Sequence, residues 1–170
     1  MNRASIYLAG PISGLSWQES VAWREDISQR FAPMGIDCYS PLRAKSYLRP
    51  EGDIADCYEE HVLSSQRGIF ARDWYDCLRC DMVFVNFLNA KTPSLGTAME
   101  IAWAYDNKKP IVLVIEPDGS NPNDHAMLRE ACRFQVPTVE EGIWVAKTVL
   151  LPVSHDHEHF NDAEVEGFRG

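Results

Sequence analysis

Apolar positions along the chain fall into two periods. Short apolar runs at residues 5–9 (SIYLA), 36–40 (IDCYS), 81–87 (DMVFVNF) and 110–115 (PIVLVI) are bounded by glycine, proline or polar residues and predict buried strands. The last is a continuous β-branched run, which implies burial on both faces and therefore parallel pairing. Between the first two, Val21, Trp23, Ile27 and Phe31 recur at near-helical spacing behind a Ser16-x-x-Glu19 capping box, until Gly35 ends the segment. A helical region ends at Cys80, broken near Gly68 into two pieces, with Phe70, Trp74, Cys77 and Leu78 on one face. PSLGTAMEIAWAYDNKK, residues 93–109, is a helix with Ser94 near its N-cap and Lys108 and Lys109 near its end. Asp124 is positioned to cap a helix through Phe134, residues 136–138 make a short fifth strand, and Thr138 with Glu141 opens a helix to about Leu151.

Strands alternating with helices predict an α/β fold: a single-domain, doubly wound, five-stranded parallel sheet, flavodoxin- or Rossmann-like, with helices on both faces. In the order 2-1-3-4-5 the chain reverses between strands 1 and 3, and the loops leaving those strands open a crevice at their carboxyl ends. Those loops are GPISG and NFLNAKTPSLG. The domain is expected over residues 1–151, followed by a polar, acidic tail over residues 152–170. Residues 41–58 have no clear periodicity and read as a long loop, the kind that often forms a lid.

Composition narrows the partners. A chain of 170 residues with 45% hydrophobic content supports one well-buried core rather than two domains. Sixteen Lys and Arg against 25 Asp and Glu give a net charge of -9, and no basic block offers a surface to a nucleic acid polymer. Apolar stretches are too short for a membrane span, and the first one runs straight into Gly10-Pro11, so a soluble, cytoplasmic protein is expected. The five cysteines are odd in number and irregularly spaced, which predicts reduced, mostly buried thiols. Cys77-x-x-Cys80 lacks a second pair and lies within a helix, and His155, His157 and His159 sit in the tail, so no metal site and no cofactor are expected. His61 and His125 are singletons with surface or capping roles, and the five tryptophans are expected in the core or at an interface.

The residues with chemical potential gather at the predicted crevice. The helix after Pro93 offers free backbone N–H groups and the positive end of its dipole, and Gly96 lets an anion or a sugar hydroxyl approach. Glu100 lies six residues past Ser94, roughly 9 Å along the axis at about 1.5 Å per residue, the scale of a ribose and its phosphate. Asp73 and Asp81 bracket WYDCLRC and add a carboxylate on the preceding helix and one at the base of the third strand. The same spacing also fits a plain cap, a packing glycine and a solvated helix acid, so it leaves both readings open.

IYLAGPISG, RDWYDCLRCDMVFVNF, and SLGTAMEIAWA followed by KKPIVLVI together resemble the three signature blocks of the nucleoside 2-deoxyribosyltransferase family, in order, over about residues 6–150. The resemblance implies a retaining double displacement at an N-glycosidic bond, with Glu100 as nucleophile, Tyr7 orienting it and Asp73 assisting as the base leaves. Gly10, Ser13 and Gly14 of the first loop and Ser94 and Gly96 of the second make up the implied substrate-binding set, with Asp81 included at its edge and read as mainly architectural. Transferases acting on free nucleosides usually carry an acid where Ser94 stands. The related nucleoside 5′-monophosphate N-glycosidases instead look like PSLG here, although they tend to have an arginine where this chain has Ser13. The substrate implied is a small nucleoside or nucleotide, with water or a second base as acceptor. A homo-oligomer is implied too, and the apolar WAY segment after Glu100 and the helices near residues 124 and 138 offer apolar surface for it. The alternative is a catalytically silent nucleotide-binding or sensor domain on the same fold. An electron carrier of the flavodoxin type would need a serine- and threonine-rich phosphate loop that the chain lacks.

Overall fold

The computed structural model describes residues 3–50 and 52–152. Five strands, β1 (Ala4–Ala9), β2 (Ile36–Tyr39), β3 (Met82–Asn86), β4 (Ile111–Val114) and β5 (Phe134–Val136), form one parallel sheet of order β2-β1-β3-β4-β5. Helices α1 (Trp17–Phe31), α2 (Gln66–Arg79), α3 (Leu95–Asp106), α4 (Ala126–Ala131) and α5 (Val139–Leu150) connect and cover it. The predicted fold class and strand order are those observed.

Period-2 alternation sorts the strand residues into two cores. Ile6, Leu8, Met82, Phe84, Val112 and Val114 pack with α1 and α5, through Ile27, Phe31 and Ile143. Tyr7, Ala9, Val83, Val85 and Leu113 face the other way, toward Cys77 of α2 and Ile101 and Ala104 of α3. Tyr7 therefore stands on the face covered by the two helices that carry Asp73 and Glu100. Cys77 and Cys80 are buried in this second core as free thiols.

Local signals explain most boundaries. The Ser16–Glu19 capping box opens α1, and Gly35, at φ +75°, ends the short 3-10 turn Ala32–Met34 that follows the helix. Thr138 caps α5 through the Glu141 amide.

Three expectations are corrected. The region before Cys80 is one helix, α2, rather than two pieces: Ser65 caps it through the Gly68 amide, and a Cβ at Gly68 would lie 1.8 Å from the Val62 carbonyl oxygen. Glycine is there for close approach, not as a breaker. The face that α2 buries is Asp73, Asp76 and Cys77; Phe70 and Trp74 are exposed, with Phe70 edge-on to Trp103 of α3 at 5.2 Å. Near the end of the sheet, Asp124 pairs with Arg129, so His125 caps a shorter α4. Phe134 then begins β5 opposite Val112 instead of ending a helix, and Thr138 belongs to the next cap.

Residues 41–50 and 52–58 form the long loop expected, and it is packed against the domain. Leu42, Leu48 and Ile54 bury against Val21, with Ile12, Trp17, Tyr47 and Tyr58 packed around them, and Ser46–Leu48 forms a 3-10 turn. Among the described residues no helix is long and apolar enough to cross a membrane. The histidines at 155, 157 and 159 lie outside the described residues.

Candidate active site

A cavity of about 410 Å³ opens at the carboxyl ends of β1 and β3, where the strand order reverses. Its walls come from the loop after β1 (Gly10 to Ser13), the segment after β2, α2 and the start of α3.

Two carboxyl side chains, Asp73 and Glu100, line its floor, and the Tyr7 hydroxyl backs them from the core. Thr97, Glu100, Ile101 and Ala104 form the buried stripe of α3, and Asp73, Asp76 and Cys77 that of α2, so a carboxylate occupies a core position on each helix. Tyr7, wholly buried on β1, donates a 2.6 Å hydrogen bond to Glu100 Oε1. Glu100 is 7% exposed and Asp73 8%, and Asp73 Oδ1 is buried without a hydrogen-bond partner.

Burial sets the electrostatics. It pushes Glu100 up to about 8, with the Asp73 charge adding to the rise and the Tyr7 bond opposing it. It also raises Asp73 to about 6, against the pull of Lys45 and Arg72. Tyr7 is held well above its ordinary value by burial and then by Glu100, which keeps it a proton donor. Two carboxyls that both resist ionisation share roughly one proton near neutrality, and their two ionisation steps belong to the pair.

The other expected residues divide. Gly10 is buried at the end of β1, where an added Cβ would lie 2.8 Å from the Asn86 carbonyl oxygen, so only glycine lets the first loop cross so close to β3. Ser13 is exposed on the cavity wall. Gly14, at φ +77°, donates its amide to the Ile54 carbonyl at 2.8 Å; it ties the first loop to the 41–58 segment and does not line the cavity. Ser94 caps α3, bonded to Thr97 Oγ1 at 2.9 Å, while its own amide donates to Asn123 Oδ1 at 2.7 Å. Gly96 lines the cavity with open space around its Cα, so the first turn of α3 is approachable. Asp81 is the correction. It accepts from the Ser5 amide at 2.8 Å and the Ser5 hydroxyl at 3.0 Å, joining the amino ends of β1 and β3 at the opposite edge of the sheet from the cavity.

Four contributors were not foreseen. Arg24 is 1% exposed and donates to the carbonyls of Leu8, Ser20 and Gly10, which fixes the loop that follows β1. An arginine in phase with Val21, Ile27 and Phe31 was a signal available in the sequence. Thr97 and Asn123 hold the α3 cap from inside the fold. Lys45 is 4% exposed and lines the cavity; its surrounding sequence has no periodicity to announce it. Among the described residues no cluster of three His, Cys, Asp or Glu side chains could hold a metal ion.

The Nucleoside 2-deoxyribosyltransferase family model matches residues 6–150. Solved structures with a similar fold include the 2-desoxiribosyltransferase from Leishmania mexicana, at 16% identity and TM-score 0.48 over 65% of this chain; the chain spans 63% of that protein's length. The CMP N-glycosidase BcmB from Clostridium botulinum is similar at 16% identity and TM-score 0.51, over 86% of this chain and 99% of that one. The molybdenum cofactor binding protein from Rippkaea orientalis is similar at 19% identity and TM-score 0.55, over 88% and 98%. No curated protein sequence matches the chain.

Proposed function

This chain belongs to the nucleoside 2-deoxyribosyltransferase family, and on that premise we propose that it cleaves the N-glycosidic bond of a nucleoside or nucleoside 5′-monophosphate through a covalent glycosyl-Glu100 intermediate. A Glu100 oxygen bonds to the anomeric carbon as the carbon–nitrogen bond breaks, and the bonding electron pair leaves with the base. Asp73 supplies the proton that neutralises the base, and then, as a carboxylate, deprotonates the water or accompanies the second base that releases the sugar. Tyr7 fixes the Glu100 carboxylate and steadies its charge while it waits to attack.

The observation that carries this reading is the 2.6 Å hydrogen bond from the buried Tyr7 to Glu100, which lines the cavity together with Asp73. A domain that only bound nucleotides, the second reading, gains nothing from burying two carboxyls at one site at a cost in desolvation. One protein of similar fold is described as a cofactor-binding protein, so the fold alone does not decide the matter. Incubating the protein with a panel of nucleosides and 5′-monophosphates, with and without a second free base, and following base release by chromatography decides it. Release without a second base marks a hydrolase, release only with one marks a transferase, and no release in either case returns the protein to the binders.

The proposal extends to a homo-oligomer. Leu95 is 80% exposed and Met127 75%, flanking an apolar groove between α3 and α4 whose lining shares Pro93, Ser94 and Leu95 with the cavity. A second copy seated there would cover apolar surface and close the cavity mouth. Light scattering at micromolar concentration tests it; a fully active monomer overturns it. Five unpaired cysteines fit a cytoplasmic, reducing setting.

A further inference from the structure

Among the described residues, Lys45 is the one cation lining a cavity that also contains the carboxylates of Asp56, Asp73 and Glu100. Its side chain is buried to 4% exposure yet makes no hydrogen bond or ion pair among the described residues, although the Asp73 and Lys45 charges act on each other. The stem is buried while the ammonium reaches the open cavity, where a ligand can supply an acceptor.

The fold holds it there deliberately. Asp76, wholly buried on α2, takes both guanidinium nitrogens of Arg43, and Arg72 Nη2 donates to the Arg43 carbonyl at 2.6 Å. Both clamps fasten the segment after β2 onto the helix that carries Asp73. Ala44, between the clamped Arg43 and Lys45, adopts φ +60°, a left-handed conformation that costs a non-glycine residue energy and turns the chain just before Lys45.

Position narrows what Lys45 meets. Ser94 lies on the loop after β3 and Lys45 on the segment after β2, on either side of β1, and both line the cavity. A sugar whose 5′ end points to Ser94 and whose anomeric carbon meets Glu100 therefore directs its base toward Lys45. There Leu42, Leu48 and Ile54 supply apolar walls for a flat ring.

We infer that Lys45 is a catalytic residue of the leaving-group subsite, donating a hydrogen bond from Nζ to a ring nitrogen or carbonyl oxygen of the departing base. The inference rests on the glycosidase reading above. As the carbon–nitrogen bond breaks, negative charge accumulates on the base, and a fixed cation beside it is worth most at that moment. Lys45 keeps its own proton; the one that neutralises the base comes from Asp73.

The test compares leaving groups. Wild type and Lys45→Met are assayed on the nucleoside and 5′-monophosphate panel and on 4-nitrophenyl ribofuranoside and its 2-deoxy counterpart, whose nitrophenolate leaves without help. Base release should fall about 100-fold or more in Lys45→Met, within the usual range for such assistance. Nitrophenolate release should change less than about threefold, which also shows that the variant is folded. Lys45→Arg, which keeps the charge, should recover part of the loss. Equal losses on both leaving groups would make Lys45 a structural or Asp73-tuning residue, and a rise in KM confined to monophosphates would make it a phosphate counter-ion; either overturns the inference, as does no loss at all. If wild type turns over neither class, the glycosidase reading itself falls, and this inference with it.

Discussion

Tyr7 and Glu100 are 93 residues apart in sequence and joined by a 2.6 Å hydrogen bond in the fold. The bond ties the fourth residue of β1 to the core stripe of α3, and it favours the ionised form of an acid that burial otherwise keeps protonated. Tyr7→Phe removes the donor without changing the ring's volume. Hydrogen bonds to charged groups contribute about 1.5–3 kcal/mol, so kcat should fall about 10- to 100-fold with little change in KM. Steady-state kinetics on the best substrate of the panel checks this, with thermal unfolding to confirm the fold. Unchanged kcat would mean that Tyr7 only fills space.

The fold was legible because its signals are local. Apolar runs marked four of the strands, and the Ser16–Glu19 and Thr138–Glu141 pairs marked two helix starts where they occur. The errors have local causes too. Gly68 resembles a breaker until the Val62 carbonyl is seen against it, and Asp124 resembles a cap until Arg129 is seen to claim it. The site was partly legible: Glu100, Asp73 and Ser94 lie in the two helices and the loop that the strand order points to. Lys45 and Asn123 come from segments with no periodicity, and their positions depend on long-range contacts such as Arg43–Asp76 and Ser94–Asn123. Asp81 was drawn into the set by proximity in sequence to Asp73, but parallel strands place it at the other end of the sheet.

Glu100→Gln should abolish base release, by several orders of magnitude, because an amide cannot form the glycosyl ester. It should also change stability in a pH-dependent way. The wild-type carboxyl, raised from 4.5 to about 8, holds a proton in the folded state that it has lost in the unfolded chain across that interval. Stability from this group is therefore complete below about pH 4.5 and is lost as pH rises through 8. Glutamine does not titrate. The variant's melting temperature should gain on wild type from pH 5 to 8 and level off beyond; each kcal/mol corresponds to about 2–4 °C at this chain length. A constant difference between the two proteins across pH would contradict the buried assignment.

The Asp73–Glu100 pair should give base release a bell-shaped pH dependence. Catalysis needs one carboxylate to attack and one acid to protonate the base, so the competent form carries a single proton. The two steps, near 6 and near 8, belong to the pair: with both protonated no nucleophile remains, with both ionised no acid remains, and between them the one proton, which rests mainly on Glu100, must pass to Asp73 before attack. Asp73→Asn should lower the whole profile and reduce the alkaline fall to the part that loss of the Lys45 proton contributes, since burial lowers Lys45 to about 8. It should also shift the Glu100 ionisation downward, because the Asp73 charge helps to raise it. Plotting kcat/KM against pH for both proteins and for Asp73→Asn combined with Lys45→Met checks this, and an alkaline limb that persists in the double variant would move the acid elsewhere.

Ser94 decides between a phosphate and a free sugar end. Its hydroxyl is engaged with Thr97 and its amide with Asn123, but Gly96 beyond it lies open to the cavity, so a 5′-phosphate can reach the first turn of α3 and the positive end of its dipole. The net charge of -9 does not prevent this, since exposed charges are screened beyond about 8–10 Å. The exposed Ser13 contributes no cation. Wild type should therefore prefer a monophosphate to its nucleoside, but by a modest margin. Ser94→Asp keeps a good N-cap, so the helix should survive the change. Its carboxylate repels a phosphate dianion and can hold sugar hydroxyls, and KM for monophosphates should rise about tenfold while nucleosides are spared or improved. Measuring both substrates on both proteins checks the reading; a wild-type preference for nucleosides, unaffected by Ser94→Asp, would place the substrate's 5′ end away from α3.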